Sequence, residues 1–288
     1  MEKLFVIKIG GNIIDSESSL SLFMDLFSRV RGKKILIHGG GKLATRLAAD
    51  LNIPQQMVDG RRITDAETLR IVTMVYAGLI NKTIVAGLQS RGSNAMGLTG
   101  ADGNAIQAHK RVNAAIDYGF AGDVDIVNVE MLSGLLEQNL DLVFAPITHD
   151  KQGQLLNTNA DTIAQEIAKG LCKKYEVQLI YSFEKAGVLT DANDDNTVIR
   201  SIDPASYLSL KEKNIIFAGM IPKLDNAFAA IQSGVSRVII GKAEQLGDLI
   251  NGSAGTTITA GSTNDNVAIS DSANPAKANN KSITKNAS

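Results

Sequence analysis

Short β-branched apolar runs alternate along this chain with longer stretches in which apolar residues recur every three to four positions. The runs Leu4–Ile9, Lys34–Ile37, Ala95–Thr99, Asp141–Ile147, Val177–Phe183 and Arg237–Ile240 have the length and composition of buried strands. Between the first two, Leu20, Phe23, Met24, Phe27 and Val30 form the i, i+3, i+4, i+7 stripe of an amphipathic helix. Thr64 followed by Glu67 has the spacing of a capping box, and predicts a long helix through Leu69, Val72, Tyr76 and Leu79. A further helix follows Asp161, with Ile163, Ile167 and Leu171 at helical spacing, and another opens at Gly219 with the stripe Leu224, Ala227, Phe228 and Ile231. Strand and helix alternating in this way predict an α/β fold, a mainly parallel sheet covered by helices on both faces.

The pattern ends near Thr259. Beyond it the residues are Ser, Asn, Thr and Ala with isolated apolar positions, a composition that cannot bury enough apolar surface to offset the entropy of ordering. Residues 260–288 are therefore expected to be a disordered tail. The 288 residues suffice for one large domain or two closely packed lobes. With 29 basic and 30 acidic residues, a net charge of -1 offers no global attraction to nucleic acid or an anionic membrane, so the expected partner is a small molecule. A single cysteine, Cys172, excludes an intrachain disulfide and any cysteine-built zinc centre, and is expected to be a buried helix residue. The N-terminal apolar run is too short for a signal peptide or membrane helix and none is expected later, which points to the cytoplasm.

Five segments carry chemistry. In Lys8-Ile9-Gly10-Gly11-Asn12 a lysine lies near the end of an apolar strand. Burying it is costly unless its ammonium meets an anion, and the glycines let a ligand approach the backbone amides. The plainer alternative, a solvated lysine beside an ordinary turn, is equally compatible with that segment alone. His38-Gly39-Gly40-Gly41-Lys42 follows a strand and leads into a helix, whose N-terminal amides favour an anion. It is not a dinucleotide fingerprint, and no GxxxxGK[ST] loop is present. HGGG also occurs in lipase-like hydrolases, but they need a G-x-S-x-G nucleophile elbow, which is absent. His38 itself reads as a structural hydrogen-bonder. Asp59-Gly60-Arg61-Arg62-Ile63-Thr64 places an arginine just before a helix, suited to bidentate capture of a carboxylate or simply to a solvated surface. Asn157-Thr158-Asn159-Ala160-Asp161 can cap the next helix, bind a polar substrate, or do both. In Gly219-Met220-Ile221-Pro222-Lys223 a lysine opens a helix against the macrodipole, which suggests a functional anion.

Taken in order, KxGGN, HGGG, GRRIT, GLTGADG, NTNAD and GMIPK resemble the N-acetylglutamate kinases, and the likeness runs from about Leu4 to Thr259. KxGG and the C-terminal lysine are shared across the wider amino-acid kinase superfamily; HGGG with GRRIT, GLTGADG and NTNAD points to the acylglutamate branch. The resemblance implies a three-layer αβα sandwich of the carbamate kinase-like kind. It implies an N-terminal lobe, residues 1–175, that binds the acylated amino acid and dimerises, and a C-terminal lobe, residues 176–259, that binds ATP. It further implies that Lys8 and Lys223 stabilise the transferring phosphoryl group, that Asp161 orients both, and that Gly10, Gly11, Gly40 and Gly41 line phosphoryl oxygens and substrate. Arg62, Asn157 and Asn159 are implied in holding the acylglutamate.

A carboxylate acceptor is already ionised at neutral pH, with a reference pKa of about 4.3, so no general base is needed. The site then requires positioning, cationic donors and magnesium carried mainly by the nucleotide phosphates. Where many members of the family carry Thr/Ser-Asp-Val-x-Gly, this chain has Ser182-Phe183-Glu184-Lys185-Ala186-Gly187, one residue longer, which leaves the nucleotide contacts of that loop open. The acyl group, acetyl or a longer succinyl, is also open. Another amino-acid kinase, acting on carbamate or aspartate, and a non-catalytic ligand sensor are the competing readings; a sensor has no need of Lys8, Asp161 and Lys223 together. Arginine-inhibited members carry an extra N-terminal helix through which they form hexamers. Here Lys8 lies seven residues from the first methionine, so the expectation is a homodimer without strong arginine feedback.

Removing residues 260–288 is expected to leave the melting temperature and turnover unchanged, since that composition supports no packed element. Thermal scans and activity assays of the full and shortened chains check this; a drop in either measure contradicts it.

Overall fold

The computed structural model describes residues 1–58, 61–113, 115–191, 193–216 and 220–261; the expected tail, apart from Ala260 and Gly261, lies outside them. The chain begins with β1 (Lys3–Ile9), α1 (Gly11–Ile14), α2 (Glu17–Arg29), β2 (Lys33–His38) and α3 (Gly41–Asp50), then a hairpin of β3 (Gln56–Val58) and β4 (Arg61–Ile63). Next, α4 (Ala66–Val72) continues through a π-helical stretch, Thr73–Ile80, into α5 (Asn81–Gln89). There follow β5 (Ala95–Leu98), β6 (Ile106–Lys110), β7 (Ala121–Val127), α6 (Val129–Glu137), β8 (Asp141–Phe144), β9 (Ile147–His149) and β10 (Leu155–Thr158). The remainder is α7 (Ala160–Leu171), β11 (Glu176–Phe183), β12 (Ser201–Ile202), α8 (Pro204–Glu212), α9 (Ile221–Gln232), β13 (Arg237–Lys242), α10 (Leu246–Asn251) and β14 (Thr256–Ile258).

The alternation within β1 sets the layers. Leu4 and Val6 are buried on one face of the sheet and Phe5, Ile7 and Ile9 on the other. A strand buried on both faces needs helices on both. Phe5, Ile7 and Ile9 pack with α2, α3, α4, α5 and α10, and Leu4 and Val6 with α6, α7 and α9. The α2 stripe buries Leu20, Phe23, Met24 and Phe27, each worth roughly 1.5–3 kcal/mol of burial. Its last member, Val30, ends the helix as the C-cap.

Eight strands form the main sheet in the order β12-β14-β13-β11-β1-β2-β8-β5. All neighbours are parallel except β13 and β14. The chain goes from β1 to β2, lays β5 at the edge and β8 between β2 and β5, then returns to lay β11 and β13 on the other flank. That reversal makes a crevice beyond the carboxyl ends of β1 and β11, the usual ligand position in open α/β sheets. Three-layer αβα architecture with a mainly parallel sheet is thus the fold that the periodicity predicts.

Three local expectations change. The run Asp141–Ile147 is two strands, because Pro146 has no amide hydrogen for the ladder. Ala145 N still donates to Leu98 O at 2.9 Å, but Ile147 N turns back to Ala145 O at 2.8 Å. Past this point β9 leaves the main sheet and joins β6, β7 and β10 in a closed four-stranded ring. The cap of α4 is Asp65, whose carboxylate accepts from Thr68 N at 2.7 Å. Thr64 is instead buried, its hydroxyl donating to Arg62 O at 3.1 Å. Finally, the helix Ala66–Gln89 is long and apolar enough to span a membrane by length and composition, contrary to expectation. Leu69, Ile71, Val72, Val75, Tyr76, Ile80, Ile84 and Leu88 are buried within the fold.

Candidate active site

Lys8 shares the face of Leu4 and Val6, so its side chain emerges among the helices of that layer, at the carboxyl end of β1. Asp161 lies in the first turn of α7 and Lys223 in the first turn of α9, both on the same side. The three meet. Lys8 Nζ is 2.7 Å from Asp161 Oδ1, and Lys223 Nζ is 2.8 Å from Asp161 Oδ2. Their side chains are only 13%, 27% and 16% exposed for Lys8, Lys223 and Asp161, which makes the pairing obligatory, since an unpaired charge would be costly there. Burial pushes the Asp161 carboxyl up, but the two ammonium groups override it and hold the group well below the usual carboxylate range. Two cations on one carboxylate leave the cluster with one positive charge unmatched. The lysine at the start of α9 is therefore offset in part by Asp161 rather than left against the macrodipole.

Two glycine turns border this cluster. Gly39 N donates to Ile9 O at 3.3 Å, holding the turn after β2 against the end of β1. Gly10 N donates to Ser182 O at 3.2 Å, so that amide is committed to β11 and Gly10 contributes space rather than a donor. The amides of Gly11, Gly40 and Gly41 have no backbone or side-chain acceptor among the described residues. Gly40 has φ +148°, and a Cβ there would lie 2.2 Å from Ile80 Cδ1, so only glycine fits the turn.

Beside the turns opens a cleft of about 180 Å³, lined by Gly40, Gly41, Arg62, Asn157 and Asn159, the residues anticipated from the motifs. Arg62 is buried, and its guanidinium donates to Gly41 O and Thr45 Oγ1, both at 3.0 Å, and to Gln55 Oε1. Among the described residues no carboxylate pairs with it. Asn157 Nδ2 donates to Thr64 Oγ1 at 3.0 Å, which fixes the amide at the cleft wall. Asn159 caps α7, its Oδ1 accepting from Asp161 N at 2.8 Å and Thr162 N at 3.2 Å. The Asx-cap reading of this segment and its place in the cleft are both true.

The cleft also contains Arg61 and Thr158, which belong to the GRRIT and NTNAD motifs but have no implied role there, and Met57, Tyr76 and Arg111, which no motif marks. Tyr76 and Arg111 come from a helix interior and a strand end with no local signature; the signal available was an arginine or tyrosine that apolar periodicity alone does not explain. GLTGADG, in contrast, stays outside the cleft. Asp102 Oδ2 accepts from Thr99 N at 2.6 Å, and a Cβ on Gly100 would lie 2.7 Å from Ile106 O, so this motif builds the passage from β5 to β6. Asp59, Gly60 and Gly219 lie outside the described residues. Cys172 is the buried C-cap residue of α7.

The chain matches the model of the amino acid kinase family over residues 3–242. It is 56% identical over 246 residues to an acetylglutamate kinase of Parabacteroides distasonis, covering 85% of this chain and 96% of that protein. Similarity to the acetylglutamate kinase of Methanopyrus kandleri is 38% over 245 residues, 84% of this chain and 96% of the relative. Among solved structures, a Streptococcus mutans protein superposes with TM-score 0.73 and 26% identity, covering 90% of this chain and 98% of that one. A Giardia lamblia carbamate kinase bound to AMP-PNP has the same fold, with TM-score 0.65 and 14% identity over 90% of this chain and 98% of its own.

His38 is wholly buried, its Nδ1 2.8 Å from Gly39 O and its Nε2 3.3 Å from Asn81 Nδ2. Burial pushes its imidazole down from 6.5 to about 4, opposed by the Gly39 carbonyl and aided by Lys82. The unfolded chain therefore takes up this proton first as pH falls. The stabilisation from neutral His38 is complete above pH 6.5 and is lost as pH falls toward about 4, amounting to about 3 kcal/mol. Denaturant titrations at a series of pH values should show His38→Gln with a flatter decline than the parent across that window; parallel curves would contradict the assignment.

Proposed function

The chain belongs to the amino acid kinase family and, within it, to the acetylglutamate kinases, and from that premise we infer that it phosphorylates N-acetyl-L-glutamate with ATP. The products are N-acetyl-L-glutamyl 5-phosphate and ADP, a step of arginine biosynthesis. The observation that carries the reading is the Lys8–Asp161–Lys223 cluster, a net positive charge set beside two glycine turns.

The acceptor carboxylate attacks the γ-phosphorus, the bond from that phosphorus to the β–γ bridging oxygen breaks, and its electron pair leaves on ADP. No proton moves, consistent with a carboxylate that is ionised at neutral pH. Catalysis is then positioning and charge stabilisation. Lys8 and Lys223 meet the phosphoryl oxygens, held in place by Asp161, while Gly11, Gly40 and Gly41 offer amides. Arg62 takes the α-carboxylate of the substrate and Asn157 its acylamino end, with the free amide nitrogen of Asn159 beside them. The acylglutamate lies in the lobe of residues 1–175, and ATP over β11 and β13 in the lobe of residues 176–259. Both oxygens of Asp161 are engaged by ammonium groups rather than left for a cation. Magnesium therefore belongs with the nucleotide phosphates. With ATP as co-substrate, the cytoplasm is the compartment of this activity.

A second reading concerns the acyl group. Arg61 and Arg111 line the cleft together with Arg62; the one carboxylate that meets them among the described residues is Asp123, which pairs with Arg111 and also feels the charge of Arg61. Two guanidinium charges then face a substrate whose α-carboxylate matches one. A succinyl chain would bring the second carboxylate. Coupled ADP-release assays with N-acetylglutamate, N-succinylglutamate, glutamate, aspartate and carbamate separate these readings; no turnover with either acylglutamate would contradict both.

The homodimer reading has a surface to support it. β5 ends the main sheet with one edge unpaired, and the π-helical stretch that runs into α5, the helix packed on β5, exposes Met74 and Leu79, 53% and 59% accessible, with open space at Gly78. An exposed strand edge and adjacent apolar side chains are the features that a second copy would cover. Light scattering should report a dimer, and Leu79→Asp a monomer; a dimer unaffected by this change would place the contact elsewhere.

Lys8→Ala and Lys223→Ala should each lower turnover roughly 100- to 1000-fold, as for other preorganised charge donors, with circular dichroism unchanged. Arg62→Lys keeps the charge but loses the fork, and should raise the KM for the acylglutamate well above any change for ATP. Near-normal turnover in the lysine variants, or a defect confined to ATP in Arg62→Lys, would overturn these roles.

A further inference from the structure

We propose that Lys42 is an additional cationic contact for the terminal phosphate of the nucleotide, reaching across the two glycine turns; this rests on the kinase reading above. Lys42 is the second residue of α3, directly after Gly41. Helical side chains lean toward the N-terminus, so this one points back over the turn that begins its helix. There Nζ donates to Asn12 Oδ1, on the residue that follows Gly11. One ammonium thus links the Gly10–Gly11 turn to the Gly39–Gly41 turn, the two turns whose Gly11, Gly40 and Gly41 amides have no acceptor among the described residues.

The charges around Lys42 leave it incompletely matched. The first turn of α3 contains no acidic residue, so the cation opposes the positive end of its own helix. Its hydrogen bond goes to a neutral amide. The one carboxylate within reach, Asp15, lies 3.9 Å away and is also approached by Arg46 at 3.4 Å. Two cations share one anion there. The Lys42 side chain is 67% exposed, and an ammonium with one donor spent on Asn12 keeps two more for a ligand. An arriving phosphate would relieve the helix-end repulsion and take those donors. A purely structural role, tying α1 to α3 through Asn12 and Asp15, makes no distinction between nucleotides.

That distinction is the test. Calorimetry of magnesium AMP-PNP and magnesium ADP is run on the full chain and on Lys42→Gln, Lys42→Met and Lys42→Arg, with melting temperatures as the fold control. For an exposed, charge-assisted contact, the Gln and Met variants should bind AMP-PNP about threefold to tenfold more weakly, ADP should stay within about twofold, and Arg should retain AMP-PNP binding. Unchanged AMP-PNP affinity in Gln and Met, or equal loss for both nucleotides, overturns the role of Lys42 while leaving the kinase reading intact. Binding of neither nucleotide by the parent chain overturns the kinase reading, and the role of Lys42 with it.

Discussion

A lysine near the end of a strand buried on both faces is the constraint around which this molecule is arranged. The ammonium of Lys8 cannot remain in that layer without an anion, and the anion cannot come from β2 or β11, whose flanking residues Ile37 and Tyr181 carry no negative charge. It comes from Asp161, on a helix that begins at the same edge of the sheet and favours an acid in its first turn. Once fixed, that carboxylate also receives Lys223 from α9. Three segments spread over more than two hundred residues of chain are thus tied to one point by charge, and α7 and α9 must pack side by side for it to happen. Leu224, Ala227, Ile163 and Ile167 in the shared core supply that packing.

The second constraint is room. A ligand that meets this cluster must also meet backbone, and the two glycine turns allow it to do so. They are held by different means. Gly10 is tied to β11 through Ser182 O, and Gly39 to β1 through Ile9 O, so both turns are anchored to sheet strands, not to loops. Rigid elements carrying open amides are what a phosphoryl-transfer site needs, because its chemistry is mostly placement.

Much of this was legible in the sequence, for physical reasons that also mark the limits. Fully buried strands read clearly as apolar runs, and the residues of the charge cluster lay in motifs where a cation or acid had no other evident reason to sit. Of the ring of β6, β7, β9 and β10, only Ile147 at the start of β9 fell within a predicted strand, since its members are short and half-exposed, and β7 carries Asp123 and Asp125. Pro146 was visible, but that it sends the chain from one sheet into another depends on the tertiary partners of Ile147. The exchange of Thr64 for Asp65 as helix cap has the same origin: Thr64 N donates to Tyr118 O at 3.1 Å, and its own carbonyl accepts from Phe120 N at 2.6 Å, so a distant segment holds it as a strand-like bridge. Arg111 and Tyr76 reach the cleft by topology alone.

The π-helical stretch shows how closely the cleft depends on the layer behind it. Its hydrogen bonds close wider turns than those of an α-helix, and such stretches recur at functional sites. Here it lets one segment serve three surroundings. Val75 and Ile80 enter the core, Tyr76 lies against Gly40 at the cleft, and Met74 and Leu79 face outward. The approach of Ile80 and Tyr76 excludes any side chain at Gly40, so the turn that presents free amides to the crevice is shaped from behind by this helix as well as by its own φ angle. Arg62 is bound into the same arrangement through Gly41 O and Thr45. A shift of the stretch would therefore reach the glycine turn directly and the guanidinium through it, which makes the wide helical turn a structural support of the site rather than an irregularity beside it.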